Sequence, residues 1–305
     1  MRRAPGILAL SVFLSGLIVP VSRAGADATC THDPLTGRVD ITLQEGFVRI
    51  RRSGADIQFK AVGTSGYQSC GDATVHNTDR IVFTDSAEYD RYFGVDQSNG
   101  RFAPGMTEEA SGRSEIEIFA HFAGDDYESM FLLVGTPASE RIYMGGRGVK
   151  INRDDDLDIE VDGVGFQDVQ GLGGDDFVTM SGGRGTGAAV PHGGFFGNTL
   201  DGGAGNDELI GGPGLNTLDG GSGHDRLVGK DGRDTATGGP GSDRIFGKKG
   251  SDNTLNGNDG NDHIEGNQGD DFLRGEDGND HLDGDAGNDD CDPGPGTDTK
   301  EDCET

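Results

Sequence analysis

Ten aspartates recur at near-constant spacing in the last third of the chain: Asp207, Asp225, Asp234, Asp243, Asp252, Asp262, Asp271, Asp280, Asp289 and Asp298. Each stands two residues after a glycine, and in most units an apolar residue follows two positions later. Gly220-Gly221-Ser222-Gly223-His224-Asp225-Arg226-Leu227-Val228 shows the whole nine-residue unit. Glycine lets the backbone take φ > 0 and pass close to an ion, so such a turn aims carbonyl oxygens inward while the aspartate adds a charged one. Hard oxygens of both kinds, six to eight in a flexible cage, are the donor set that calcium selects over magnesium or zinc.

Elements of matching period must hold these carboxylates. The last residues of each unit form a short strand whose middle member, such as Leu227, Ile245, Ile264, Leu273 or Leu282, points into a core. Two units make one coil, so residues eighteen apart stack about 4.8 Å from each other. Asp207, Asp225 and Asp243 then fall on one edge; Asp234 and Asp252 fall on the other, with Asn216 at its start. After one inserted residue, Asp262, Asp280 and Asp298 continue the first edge, and Asp271 and Asp289 the second. Stacked carboxylates without a counter-ion repel by about 1–3 kcal/mol per pair at effective dielectrics between water and a protein surface. A cation between coils reverses that sign. One buried leucine per unit does not offset the ordering of a whole unit's backbone, which points to folding coupled to metal. Asn216 and the insertion within Gly247–Asn256 mark where ligation is expected to be incomplete.

The unit resembles the nonapeptide repeat of RTX (hemolysin-type) calcium-binding proteins, with ten near-consecutive matches and an upstream echo at Gly171–Val178 that adds Asp176 to the expected ligands. The resemblance implies an all-β chain: a C-terminal right-handed parallel β-roll with several calcium ions between its turns, preceded by an irregular β domain or a degenerate solenoid. In related proteins such repeats accompany extracellular proteases, lipases and sugar epimerases. Many of those leave the cell by a C-terminal signal, whereas this chain has an N-terminal one.

That signal reads as residues 1–26. Arg2 and Arg3 precede an apolar stretch, Gly6 to Val21, too short for a comfortable span, and Ala24-Gly25-Ala26 supplies a cleavage site. The exported chain loses Arg2, Arg3 and Arg23 and no acid, so its charge moves from −29 to about −32. This argues against nucleic acid or anionic membrane as a partner; a cell-surface or extracellular polymer remains open. Export fits two disulfides. Three pairings are formally open, and Cys30–Cys70 with Cys291–Cys303 is favoured because each is local. Cys291 occupies the apolar slot of the last well-formed strand, so its bridge would cap the solenoid.

Residues 27–134 read as β-rich, with strands at Arg38–Leu43, Phe47–Arg51, Asp56–Lys60, Arg80–Thr84, Glu115–Phe122 and Ser129–Val134. Residues 135–200 read as a loosely formed solenoid with a glycine-rich loop, and 201–305 as the regular roll with its disulfide cap. Other patterns have plainer readings. Asp158–Gly163 begins like an EF-hand loop, but its twelfth position is Val169 where a bidentate Glu is needed, so an acid-faced strand is the better reading. His263 and His281 share a repeat position without an evident third metal ligand. Gly223–Lys230 and Gly241–Lys248 have the wrong spacing for a phosphate loop, and no zinc-protease or nucleophile-elbow motif is present. A toxin lacks support, since there is no long apolar pore segment. The expectation is a secreted, non-enzymatic calcium-binding protein with a structural or adhesive role. The alternative is an extracellular enzyme acting on a polymer, for which three acids in an N-terminal groove with a facing aromatic would speak.

Overall fold

The computed structural model describes residues 28–43, 46–61, 64–78, 80–85, 91–99, 117–121, 130–138, 141–145, 148–150, 159–162, 166–181, 197–250 and 253–304. The expected signal, Glu140, Asp252 and most of the 181–198 loop lie outside them. The described residues are all β, with no helix. They form two sheets, one of fourteen strands and one of twelve, and from Phe166 onward the chain alternates between them. Arg226–Asp231 lies in the larger sheet, Thr235–Thr237 in the smaller and Arg244–Lys249 in the larger again, which makes one coil.

The coils stack in parallel because each unit repeats its apolar residue in register. Leu209, Leu227, Ile245, Ile264 and Leu282 are consecutive partners in the larger sheet. Leu200, Leu218, Ala236, Leu255, Leu273 and Cys291 are consecutive partners in the smaller one. All are buried, so the core is a two-column aliphatic ladder between the sheets. The inserted residue is absorbed without breaking either column: Ile264 follows Ile245, and Leu255 follows Ala236, at nineteen residues instead of eighteen.

The solenoid does not begin near residue 135. Arg38–Leu43, Arg80–Asp85 and Glu117–His121 already pair in parallel within the larger sheet, and Gly46–Ser53, Arg91–Asp96 and Met130–Val134 do so in the smaller. Alternating apolar strands stack there. Their core is bulkier, with Phe83 against Phe93 at 4.5 Å between ring centroids and Phe131 beyond at 6.3 Å. Of the two alternatives for the N-terminal half, the degenerate solenoid is the one observed. Antiparallel pairs depart from the parallel order in three places: Ala28–Asp33 with Arg38–Leu43, Asp56–Ala61 with Gly46–Ser53 and Gln68–Thr74, and the meander Arg141–Gly145, Gly148–Lys150 and Ile159–Asp162. Ile159 in it is buried, as the strand reading of that acidic segment requires.

Each end is closed by a disulfide between the two sheets. Cys30 lies on the edge strand Ala28–Asp33 of the larger sheet and is bonded to Cys70 on Gln68–Thr74, the edge of the smaller. At the other end Cys291, on the smaller sheet's edge strand Asp290–Asp292, is bonded to Cys303, just past the larger sheet's edge strand Thr299–Glu301. Open sheet edges invite pairing with other chains, and a clasp at each end ties them down.

Candidate metal centres

The repeat's turns line the two long edges of the roll, and each edge carries a ladder of side-chain hydrogen bonds. On the first edge the backbone N–H of each ligand-position residue donates to the carboxylate Oδ1 one coil further on. Asp176 donates to Asp207 (2.7 Å), Asp207 to Asp225 (2.7 Å), Asp225 to Asp243 (2.8 Å) and Asp243 to Asp262 (2.8 Å). Asp262 donates to Asp280 and Asp280 to Asp298, both at 2.9 Å. The carbonyls are engaged too: Arg226 N–H donates to Asp207 O, and Arg244 N–H to Asp225 O. Each inner aspartate therefore has its backbone and one carboxylate oxygen satisfied within the protein.

The second oxygen is not. Oδ2 of Asp207, Asp225, Asp234, Asp243, Asp262, Asp271, Asp280 and Asp289 is buried with no hydrogen-bond partner. Such an orphaned charge is costly to bury unless something pairs with it. Around each one a glycine and a carbonyl converge. A Cβ built on Gly220 would lie 2.5 Å from Asp225 Oδ2 and 2.6 Å from Gly238 O. The same trio recurs at Gly202, with Asp207 and Gly220 O, and at Gly238, with Asp243 and Gly257 O. Only glycine fits at that point, because any side chain would fill the cradle between carboxylate and carbonyl. Gly223, at φ +144°, meets a second constraint, since a Cβ there would collide with Gly205 O of the preceding coil.

Electrostatics agree with the geometry. Burial pushes the carboxyls of Asp207, Asp234, Asp262 and Asp271 up to about 6 and that of Asp243 to about 7, opposed in part by hydrogen-bond donors, the backbone N–H groups above all. Asp225, Asp280 and Asp289 are raised for the same reason. A desolvated carboxylate oxygen beside backbone carbonyls is an oxygen cage of the kind calcium fills. No group of three or more His, Cys, Asp or Glu side chains gathers as a metal site among the described residues, so the donors come mainly from backbone. That argues against zinc.

The second edge differs. Asn198, Asn216, Asp234, Asn253, Asp271 and Asp289 occupy its ligand positions. Asn216 Nδ2 has four acceptors for its two hydrogens, Gly212 O and Gly214 O at 3.0 Å, Gly229 O at 3.3 Å and Asp234 Oδ1 at 2.7 Å, so an amide plugs the space that a carboxylate flanks elsewhere. Asn253, fully buried, takes the place the sequence pattern assigned to Asp252: Asp234 N–H donates to its Oδ1, and its own N–H to Asp271 Oδ1. The signal for Asn253 was present in the repeat, because the core residue Leu255 stands two positions after it. Asp298 accepts from Asp280 but is only half-buried, at the end of its column.

His263 and His281 stack at 4.8 Å, but His263 Nε2 bonds Glu265 at 2.9 Å and His281 Nδ1 bonds Thr299 at 2.7 Å, with no further ligand beside them. On the smaller sheet's outer face, Asp96 receives the Tyr67 hydroxyl at 3.4 Å and lies 3.8 Å from Arg49, while Arg51 sits over the Tyr67 ring at 3.6 Å. Asp168, two strands beyond Asp96's, is pushed to about 6 by burial and then by the charge of Asp201, and its Oδ1 is buried without a partner.

Residues 192–227, 219–253, 250–282 and 265–299 each match the RTX calcium-binding nonapeptide repeat, four copies in all. No curated protein matches the chain. The segment 192–299 is thus an array of RTX calcium-binding repeats, built as a roll of parallel strands.

Proposed function

We propose that this is a secreted protein whose RTX roll locks on meeting calcium outside the cell, where it serves a structural or adhesive role. The observation that carries the reading is the set of eight buried, unpartnered aspartate Oδ2 atoms, each at the wall of a glycine-lined gap between coils. Asp207, Asp225, Asp243, Asp262 and Asp280 would hold ions on the first edge together with glycine carbonyls of the next coil; Asp234, Asp271 and Asp289 would do so on the second. Bound calcium supplies the positive charge that lets stacked carboxylates stay ionised. The protein supplies the rest: Oδ1 fixes each aspartate against the preceding coil, and the glycines keep the gap open. Two disulfides fit an oxidising destination. The test is expression with residues 1–26 intact in a secreting host, followed by N-terminal sequencing and calcium stoichiometry of the exported protein. A mature chain that starts at Asp27 and binds several ions is expected; retention in the cytoplasm or no bound calcium contradicts the reading.

A second reading has one observation behind it. Asp96, Asp168 and Asp201, with Arg49 and Tyr67, share the outer face of the smaller sheet, the arrangement of acids and aromatic that an enzyme acting on a polymer would use. Release of new chain ends from an extracellular polysaccharide, lost in Asp168→Asn, would establish it; no release from a broad polysaccharide panel would discard it.

A further inference from the structure

An acidic chain with 54 carboxylates and only six lysines places three of those lysines, Lys230, Lys248 and Lys249, around one trough of about 560 Å³ on the outer face of the larger sheet. Ile210 and Val228 line the trough, and they are register partners two residues outside the strand residues that carry the charge. Lys230 and Lys248 are themselves register partners on adjacent strands, about 4.8 Å apart along the roll. Like charges so placed repel; among the described residues none of the three lysines has an ion-pair partner within 4.0 Å, although Lys249 is the register partner of Asp231 and Lys248 acts on Glu265 through space. Arg226, also on the trough, is by contrast neutralised by Glu208 at 2.9 Å. Asp231 is the one carboxylate among the lining residues.

Backbone conformation sharpens the point. Lys230 and Lys248 have φ of 93° and 80°, the left-handed region that Gly and Asn adopt most easily. The next two coils put Asn267 and Asp285 at the same register position. Lysine twice at such a position has a backbone cost and brings like charges together, and neither effect stabilises the roll. Phe246 lies beside two of the lining cations, with Lys248 Nζ 4.5 Å and the Arg226 guanidinium 5.2 Å from its ring centroid.

We propose that this trough binds one strand of an anionic polysaccharide, its carboxylates or sulfates on Lys230, Lys248 and Lys249 and a sugar C–H face on Ile210, with the buried Val228 as the floor beneath. The proposal rests on the folded roll described above. The occupant must be slender. Glu265, Asp283 and Asp285 lie in the coils just beyond, within reach of a broad surface at a Debye length of about 8 Å, so a flat anionic bilayer or a nucleic-acid duplex would meet them as well. A single saccharide chain lies inside the trough and avoids them. Gln268 at the rim offers an amide to sugar hydroxyls.

The experiment measures binding of the full chain, in fixed calcium, to an oligogalacturonate and to a sulfated dextran oligomer. Neutral dextran, inorganic sulfate and phosphatidylserine vesicles serve as comparisons, and far-UV circular dichroism of each sample reports whether the roll is folded. Expected is salt-sensitive binding to one or both anionic oligomers, weakened at least about tenfold in Lys230→Gln/Lys248→Gln and unchanged in Lys60→Gln. Because calcium alone can bridge a polyuronate to acidic sites, binding that survives the double substitution overturns the proposal. So does binding no stronger than to neutral dextran, binding of inorganic sulfate alone, or a preference for the vesicles. Should the double variant fail to fold, amine acylation of the unmodified chain decides: the oligomer must protect Lys230, Lys248 and Lys249 over Lys60, and equal labelling rules the site out. A roll that stays unfolded in calcium is a failure of the preceding reading, seen in the dichroism before any saccharide is added.

Discussion

The two edges of the roll are built from the same nonapeptide, yet only one is a pure carboxylate column. From Asp207 to Asp298 the first edge repeats one arrangement, Oδ1 bonded to the preceding coil and, in all but the last, Oδ2 left over. The second begins with Asn198 and Asn216 and meets Asn253 before it settles into Asp271 and Asp289. An amide at this position keeps the Oδ1 acceptor that knits coils together but replaces the orphaned anionic oxygen with a donor. Asn216 spends that donor on the carbonyls that would otherwise face an ion. Hydrogen-bond register and metal ligation are thus separable duties of one residue. From Asp207 to Asp280 the first edge performs both, while the second performs the first duty from Asn216 onward, the Asn198 oxygen being buried without a partner, and the second duty only in part.

The comparison can be broken most sharply on the first edge. Asp225→Ala with Asp243→Ala removes two ligands and also strands the buried N–H groups of Asp207 and Asp225. Two unsatisfied donors alone cost about 2–6 kcal/mol, so the double variant in calcium should melt far below the parent and bind fewer ions by isothermal titration calorimetry. An unchanged ion count and melting temperature would remove these residues from the ligand set.

Proton and calcium should act in opposite directions on the same oxygens. The carboxyls of Asp207, Asp234, Asp243, Asp262 and Asp271 lie above their ordinary range in the folded roll, at about 6 to 7. A raised acid binds its proton more tightly folded than unfolded, so its contribution is complete at pH below the ordinary carboxylate range and is lost as pH rises through 6 to 7. Thermal melts in chelator should therefore show the roll most stable in acid and weaker at neutral pH. In calcium the order reverses, because protons displace the ion. Three of these five residues stand on the first edge, so replacing them by Asn should flatten the chelator profile.

The end of the second edge depends on its clasp. Glu304 N–H donates to Asp289 O at 2.7 Å, next to the Cys291–Cys303 bridge. Cys291→Ser with Cys303→Ser opens a loop whose ends are twelve residues apart, with an expected loss of about 3 kcal/mol confined to the last coil. Hydrogen exchange should rise at Asp289 to Glu304 and stay unchanged at Asp225.

The smallest effect is a gain. Asn216→Asp would convert the plugged position into the first edge's arrangement. One more ion and a stabilisation of up to about 2.7 kcal/mol, at calcium a hundredfold over Kd, are expected by calorimetry and melting. No added ion would mean that the amide was not what kept the position closed.

Most of this architecture was legible because its signal is local. Glycine, aspartate and an apolar residue at fixed offsets place Leu227, Ile245 and Leu282 in the core and Asp225 and Asp243 on an edge without knowledge of anything distant. Alternation likewise marked Arg38–Leu43, which is a strand over those residues. What escaped was set by pairing between segments far apart. Nothing local says that Val39 and Ile81 are parallel neighbours in the sheet that later holds Leu282, and so the solenoid's true beginning was missed. The same holds for Lys230 beside Lys248. Asn253 was a counting error of one residue at the insertion, where the glycine-aspartate spacing and the buried Leu255 disagree and burial decides. The disulfide partners were favoured for proximity in sequence, whereas the structure gives a reason of its own: each bridge joins the two edge strands at one end.

The central claim is that calcium between coils holds the C-terminal roll together, while the phenylalanine-filled N-terminal half stands on its own core. Its most direct test is a calcium titration into the chelator-stripped full chain, followed by far-UV circular dichroism, with magnesium as the comparison. The account predicts a partial β signal in chelator that rises cooperatively with calcium and not with magnesium. A spectrum already complete in chelator, and unmoved by calcium, would contradict it.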